Sequence, residues 1–201
     1  MPDKQIAIGI VGSYRRAGVV ASAVAEILTE VAEQGVATRT IHLLDKHIEF
    51  CTNCRQCMQQ PGPSRGKCTL TDDMEDLLAQ IEQARYLVIG SPVNFGNVNA
   101  LTRRFMERCV GLAYWPWGSR APKMRDPVLS KRAILVSSSA APFWIGRYCY
   151  GAGGALKKLA RVLGARVVGL LWIGLVIQQQ MNLPDKSRRK AVALARRLVA
   201  T

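Results

Sequence analysis

Apolar and polar positions follow two alternating patterns along the chain. Gln5-Ile-Ala-Ile-Gly-Ile-Val11 holds a short unbroken apolar run, the signature of a strand buried on both faces. Val19 to Gln34 instead repeats its apolar residues every three or four positions, which predicts an amphipathic helix stopped by Gly35. Further strands are predicted over Thr38–Leu44, Arg85–Ser91, Arg132–Ser138 and Val167–Val176. Further helices are predicted from Asp72, with Glu75 as a capping-box partner, and from about Val98 to Val110. Two more start near the Gly151–Gly154 cluster and at Pro184, a residue suited to a first helical turn.

Strands alternating with helices in this way predict an α/β fold: a five-stranded parallel sheet covered by helices on both faces. Right-handed crossovers in a chain of 201 residues favour strand order 2-1-3-4-5, with ligands beyond the carboxyl ends of the strands. Loops 12–20, 91–98 and 139–151 are then the ones that matter. No linker, internal repeat or low-complexity segment interrupts the pattern, so residues 1–201 are expected to form a single domain.

Composition changes this picture in two ways. An apolar share of 49% with 21% charged residues excludes intrinsic disorder. The longest apolar run, Val167 to Ile177, is too short to span a bilayer, and Met1-Pro-Asp-Lys4 leads into a strand without a cleavage site. A cytoplasmic protein with no membrane partner is expected. The net charge of +14 is uneven: residues 1–100 carry −2, 101–145 carry +6 and 146–201 carry +10. A basic C-terminal third suits phosphate-bearing ligands, nucleic acid or an anionic surface, and equally a solvated face. No zinc finger, RNA-recognition aromatic motif or continuous Lys/Arg block is present, which counts against nucleic acid.

Gly12-Ser-Tyr-Arg-Arg-Ala-Gly18 joins the first strand to the first helix. A helix N-terminus offers free backbone N–H groups and a positive dipole end, while Ser13 and Arg15 or Arg16 add donors for a phosphate. The bland alternative is a simple Gly/Ser turn. Neither a P-loop nor a G-x-G-x-x-G dinucleotide fingerprint is present. Ser91-Pro-Val-Asn-Phe-Gly-Asn-Val98 follows the third strand and faces the same crevice. There Asn94 and Asn97 supply amides, Phe95 an aromatic face, and Gly96 room for a flat ligand to approach the backbone.

Gly12-Ser-x-Arg-x-x-Gly18, Cys54/Cys57/Cys68-Thr-x-x-Asp-Asp-Met74 and Ser91-Pro-Val-x-Phe-Gly96, in this order and spacing, resemble the NADPH-dependent FMN reductase family of flavodoxin-like proteins. The likeness runs from about residue 5 to 108, with the C-terminal third fitting in element order only. It implies a flavodoxin-like three-layer sandwich, bound FMN, and NAD(P)H as electron donor. It further implies that the FMN phosphate sits on Ser13, Arg15, Gly18, Val19 and Val20. The ribityl and ring would lie along Pro92, Val93, Asn94, Phe95, Gly96 and Asn97, with Ser138 and Ser139 closing the pocket. Val19-Val20 replaces the usual Asn-Thr, which removes two polar phosphate contacts and leaves Ser13, Arg15, Ser22 and backbone amides.

Cys51-x-x-Cys54-x-x-Cys57 followed by Cys68 resembles a ferredoxin-type cluster run, with Arg55, Arg65 and Lys67 nearby to favour thiolates. That likeness points to the iron–sulfur flavoprotein subgroup, although the Cys57–Cys68 gap is longer than its compact spacing. Redox-active thiols without metal, and structural zinc, suit the same four sulfurs. Cys109 and Cys149 are expected to be packing residues, His42 and His47 surface or packing residues, and Tyr114–Trp117 a subunit contact. Phe143–Tyr148 is expected to form a lid, and Arg147 or Lys157 to meet the pyridine-nucleotide phosphates.

Three functions follow as expectations. The first is an FMN-dependent NAD(P)H oxidoreductase acting on a quinone, azo or nitro compound, metal ion or protein acceptor, as a homodimer or homotetramer. The second is an iron–sulfur electron carrier served by a ferredoxin-like partner. The third is a non-enzymatic flavin- or anion-binding regulator.

Overall fold

The computed structural model describes residues 5–179 and 182–200. The reading of Met1–Lys4, and the ends of the 1–201 domain, lie outside the described residues. Five strands form the main sheet: β1 (Ile6–Val11), β2 (Ala37–His42), β3 (Tyr86–Asn94), β7 (Lys131–Ser138) and β8 (Ala165–Ile173). They run β2-β1-β3-β7-β8, and every neighbouring pair is parallel. The order is the flavodoxin-like one expected from the sequence. Two short hairpins were not foreseen. In one, β4 (Asn97–Val98) folds back antiparallel onto the end of β3; the other joins β5 (Ala113–Tyr114) to β6 (Lys123–Met124).

Helices α1 (Val19–Glu33) and α6 (Asp185–Val199) cover one face, and α2 (Met74–Gln83), α3 (Ala100–Arg108) and α5 (Ala152–Val162) the other. On the first face Val20, Val24, Ile27 and Val31 of α1 pack against Val88, Ile134 and Val136 of the sheet. Each fully buried aliphatic side chain contributes about 1.5–3 kcal/mol. On the second, Phe105, Leu101, Leu77 and Leu156 enclose Ile8, Ile10 and Leu87. Two clusters separated by one sheet make the three-layer sandwich.

Local corrections have local causes. The helix expected to Val110 ends at Arg108, where the chain tightens into a 3-10 turn over Cys109–Leu112. The capping box at Asp72 and Glu75 does not form, because Asp72 Oδ1 accepts from Met74 N and Glu75 pairs with Arg65. An unpredicted helix, α4 (Phe143–Cys149), occupies the segment expected as a lid loop. Among the described residues no helix is long and apolar enough to cross a membrane.

Candidate functional site

A cavity of about 350 Å³ opens over the carboxyl ends of β1, β3 and β7. That volume falls in the range of small-molecule sites. Ser13, Arg15, Gly18, Val19 and Val20 line it from the first loop, Pro92, Val93 and Asn94 from the end of β3, and Ser138 and Ser139 from the end of β7. The structure therefore gathers ten of the thirteen residues named from the sequence. Phe95, Gly96 and Asn97 are not among its lining residues. They form the hairpin between β3 and β4, where Phe95 and Gly96 both have positive φ (49° and 75°), as a two-residue type I′ turn requires. Gly96 thus serves the turn, a Cβ there would meet only Tyr150 at 3.9 Å, and the Phe95 side chain projects into solvent.

The first loop is held in place by its own side chains. Ser13 Oγ donates to Arg15 O and accepts from Arg15 N, both at 3.1 Å, and Arg15 Nη1 donates to Gln179 O at 3.2 Å. Gly18 caps α1 without any side-chain hydrogen bond, and no acidic residue occupies the first turn. The opening backbone N–H groups of α1 therefore lack intrahelical acceptors and point their dipole end at the cavity, a ready anion cradle. Val19 and Val20 are 6% and 2% exposed, so their side chains go into the core and only their backbone serves the cavity.

Behind these walls lies a buried polar network that sequence reasoning missed. Asn99 caps α3 by accepting from Thr102 N (2.9 Å), and its Nδ2 donates to Gly12 O (2.7 Å). Thr102 Oγ1 lies within hydrogen-bonding distance of Asn99 Oδ1 (2.7 Å), Ser91 Oγ (2.9 Å) and Gly12 O (3.2 Å). The network ties the first loop to β3, and Asn99-x-x-Thr102 at a helix start was the available signal. A Cβ on Gly12 would sit 2.0 Å from Thr102 Oγ1, so this close approach requires glycine. Tyr14, Ala140, Val176, Gln178 and Gln179 also line the cavity unannounced. The apolar run past Ile173 reads as strand, whereas the chain leaves the sheet there and pairs Val176 N with Ser139 O. Ser139 Oγ is committed to Ala141 O and Trp172 Nε1, which fixes this loop.

The four clustered cysteines line one small depression together with Arg108. Among the described residues no group of three or more His, Cys, Asp or Glu side chains is arranged to hold a single metal ion. Thiolates are the donors that iron–sulfur clusters use, and the depression that these four line measures about 20 Å³. Burial, followed by the neighbouring Cys68, Cys51 and Cys54, pushes the Cys57 thiol up. Hydrogen bonding from the Gln56 backbone, then from Thr52, lowers the exposed Cys54.

Two of the three cations expected to favour thiolates do other work. Arg65 is held by Glu75 and Glu82, and Arg55 lies between the rings of Trp115 and Trp117, 4.2 and 4.0 Å from their centroids. The Tyr114–Trp117 segment is thereby fastened to the cysteine segment, with Trp115 N donating to Met58 O at 3.0 Å. Arg108 is the cation at the sulfurs: its Nη2 lies 3.5 Å from Cys68 Sγ, and a bidentate pair with Asp72 fixes it. Cys109 is buried and its thiol is pushed up to about 12 by that burial, whereas Cys149, expected to pack, is exposed at the end of α4.

Comparison with known proteins agrees with this geometry. An iron–sulfur flavoprotein of Methanocaldococcus jannaschii is 38% identical over 101 residues, 50% of this chain and 50% of that protein. One of Archaeoglobus fulgidus is 31% identical over 114 residues, 57% and 47% of the two chains. The chain thus spans about half the length of these curated relatives. An azoreductase from Bacillus anthracis superposes with a TM-score of 0.69 at 14% identity, covering 96% of this chain and 99% of its own. An NAD(P)H:quinone oxidoreductase from Methanothermobacter marburgensis gives 0.69 at 14%, with 96% of both chains covered. These two likenesses establish the fold. The profile of the NADPH-dependent FMN reductase family matches residues 7–172, most of the sheet and both cavity loops, and the chain belongs to that family.

Proposed function

We propose that the chain is an FMN-dependent oxidoreductase. It takes electrons from NAD(P)H and passes them to a quinone, an azo or nitro compound, a metal ion or a protein acceptor. The observation that carries this reading is the cavity over β1, β3 and β7, which joins an uncapped helix N-terminus to a wall of Pro92, Val93 and Asn94. The residues present fit FMN: a cradle of free N–H groups with Arg15 suits a dianionic phosphate, and the uncharged wall suits a flat ring. When bound, FMN supplies the hydride and electron chemistry.

The protein's part is binding and orientation. Backbone N–H groups of Val19 and Val20 and the Arg15 guanidinium hold the phosphate end, while Ser13 sets the Arg15 backbone. Pro92 and Val93 give the ring an apolar face, and the Asn99–Thr102 network keeps the two loops in register. Ala140 and Val176 line the opposite wall. No side chain of the cavity is assigned a proton-transfer role. In a Ser13→Ala/Arg15→Ala variant, loss of a charge-assisted contact worth about 1.5–3 kcal/mol weakens FMN binding by about tenfold or more. Unchanged FMN affinity in a folded variant contradicts the assignment.

A second reading adds to the first and rests on the shared depression of Cys51, Cys54, Cys57 and Cys68. These thiols would hold an iron–sulfur cluster, which when bound supplies one-electron transfer, and Arg108 would orient Cys68. Iron and acid-labile sulfide in protein purified without oxygen, lost in Cys54→Ser, support it. Protein free of iron after reconstitution retires it.

A further inference from the structure

A second cavity, larger than the one over β1, β3 and β7, plays no part in either reading. It measures about 720 Å³ and lies at the amino ends of β7 and β8, between Lys131 and Gly164, whereas the flavin cavity reaches Ser138 at the far end of β7. Seven residues of strand put the two walls about 23 Å apart. Its apolar lining comes from Leu112, Met124, Val162 and Leu163.

Charge around this lining is not balanced pair by pair. Arg65 is committed to Glu75 and Glu82, and Asp126 Oδ1 accepts from Val128 N at 2.9 Å. Among the described residues no carboxylate pairs with Lys67, Arg125 or Lys131. Arg125 donates only to carbonyls, Gly111 O, Gly62 O and Cys57 O at 3.0–3.1 Å, which fixes its position without cancelling its charge. The lining carries four cations and three carboxylates, a net +1, so Lys67, Arg125 and Lys131, one of them immobilised, border a hollow of mixed polar and apolar lining. A neighbouring cavity of about 290 Å³ shares Arg65, Lys67 and Glu75 and reaches Cys57 and Cys68. An occupant would lie beside the cysteine segment, away from the flavin cavity.

We infer that this cavity is a second ligand site, for a small amphipathic organic anion with an apolar body and one carboxylate, sulfonate or phosphate head. The body covers Leu112, Met124, Val162 and Leu163, and the head meets Lys67, Lys131 and the free N–H groups of Arg125. A neutral molecule of the same shape gains the apolar contact alone, so the site selects for negative charge.

Calorimetric titration of the full chain, in saturating FMN, tests this with 2-naphthalenesulfonate and its neutral counterpart 2-naphthalenemethanol. The sulfonate is expected to bind one to one and about tenfold or more tighter than the alcohol. Lys67→Gln/Lys131→Gln lowers that preference, Arg125 retaining part of it, and Val162→Phe, which fills the hollow, weakens both probes. Neither lysine side chain is hydrogen-bonded, so the double variant retains the wild-type unfolding transition. The inference is overturned by absence of saturable binding, by equal affinity for the two probes, or by a double variant that binds the sulfonate like wild type. The last result places the probe outside this cavity, so it bears on this site alone and leaves the FMN reading intact.

Discussion

Asp72→Asn removes one charge from a pair in which both side chains are 1% exposed. The Asp72 carboxylate accepts from both terminal nitrogens of Arg108, from Glu49 N at 2.7 Å and from Met74 N at 3.1 Å. Breaking a buried pair by removing one partner costs about 3–5 kcal/mol, because the other charge is left without compensation. Arg108 keeps Glu49 O at 2.9 Å and Cys68 Sγ, which places the expected loss near about 3 kcal/mol. For a domain of this size that corresponds to a fall in Tm of about 6–12 °C. Urea unfolding with linear extrapolation reads the difference directly. The double variant Asp72→Leu/Arg108→Met should cost clearly less than the sum of its singles, since it buries no unpaired charge. A single variant within about 0.5 kcal/mol of wild type, or strictly additive singles, refutes the reasoning.

The pair also fixes a pH dependence. Burial alone would raise the Asp72 carboxyl, but the Arg108 guanidinium and the Glu49 and Met74 N–H groups outweigh it and hold the carboxyl below its usual range. A folded-state value below the unfolded one means that this stabilisation is complete above the unfolded value of about 3.9. It is lost as pH falls through the folded value. Wild type should therefore lose stability below about pH 4 more steeply than Asp72→Asn does.

Three further outcomes are expected. Gly12→Ala drives a Cβ to 2.0 Å from Thr102 Oγ1 and 3.3 Å from Gly90 O, so it should cost about 1–3 kcal/mol in urea unfolding and loosen the first loop. Phe95→Asn should stabilise the protein by up to about 1 kcal/mol, because asparagine tolerates the positive φ at 95 and the exposed ring gives up no packing. A destabilised variant would argue against the type I′ hairpin. With iodoacetamide at neutral pH, mass spectrometry should find the exposed Cys54 and Cys149 modified, and Cys109 only after unfolding. Early labelling of Cys109 would contradict its burial.

How much of this was legible beforehand depended on whether the signal was local. The strands β1, β3 and β7 announce themselves because each is buried on both faces and reads as an unbroken apolar run. The place of the first loop was legible because Gly12 to Gly18 lies between such a strand and an amphipathic helix. The β3–β4 hairpin was not, since phenylalanine is a poor residue for its first turn position and masks the turn. α4 was hidden by a sequence of aromatics and glycine with no helical stripe. The Asp72–Arg108 pair spans 36 positions, and nothing in either residue's neighbourhood distinguishes it from a surface charge. The amphipathic hollow likewise collects its wall from five separated segments, so only the fold brings it together.

The central claim is that the open start of α1 together with Arg15 binds a phosphate. Comparing the dissociation constants of FMN and riboflavin, by quenching of flavin fluorescence on the wild-type chain, tests it most directly. The two ligands differ only in the phosphate, so FMN should bind at least about tenfold tighter, the equivalent of one charge-assisted contact. Equal affinity for the two would show that the loop does not hold the phosphate and would contradict the account.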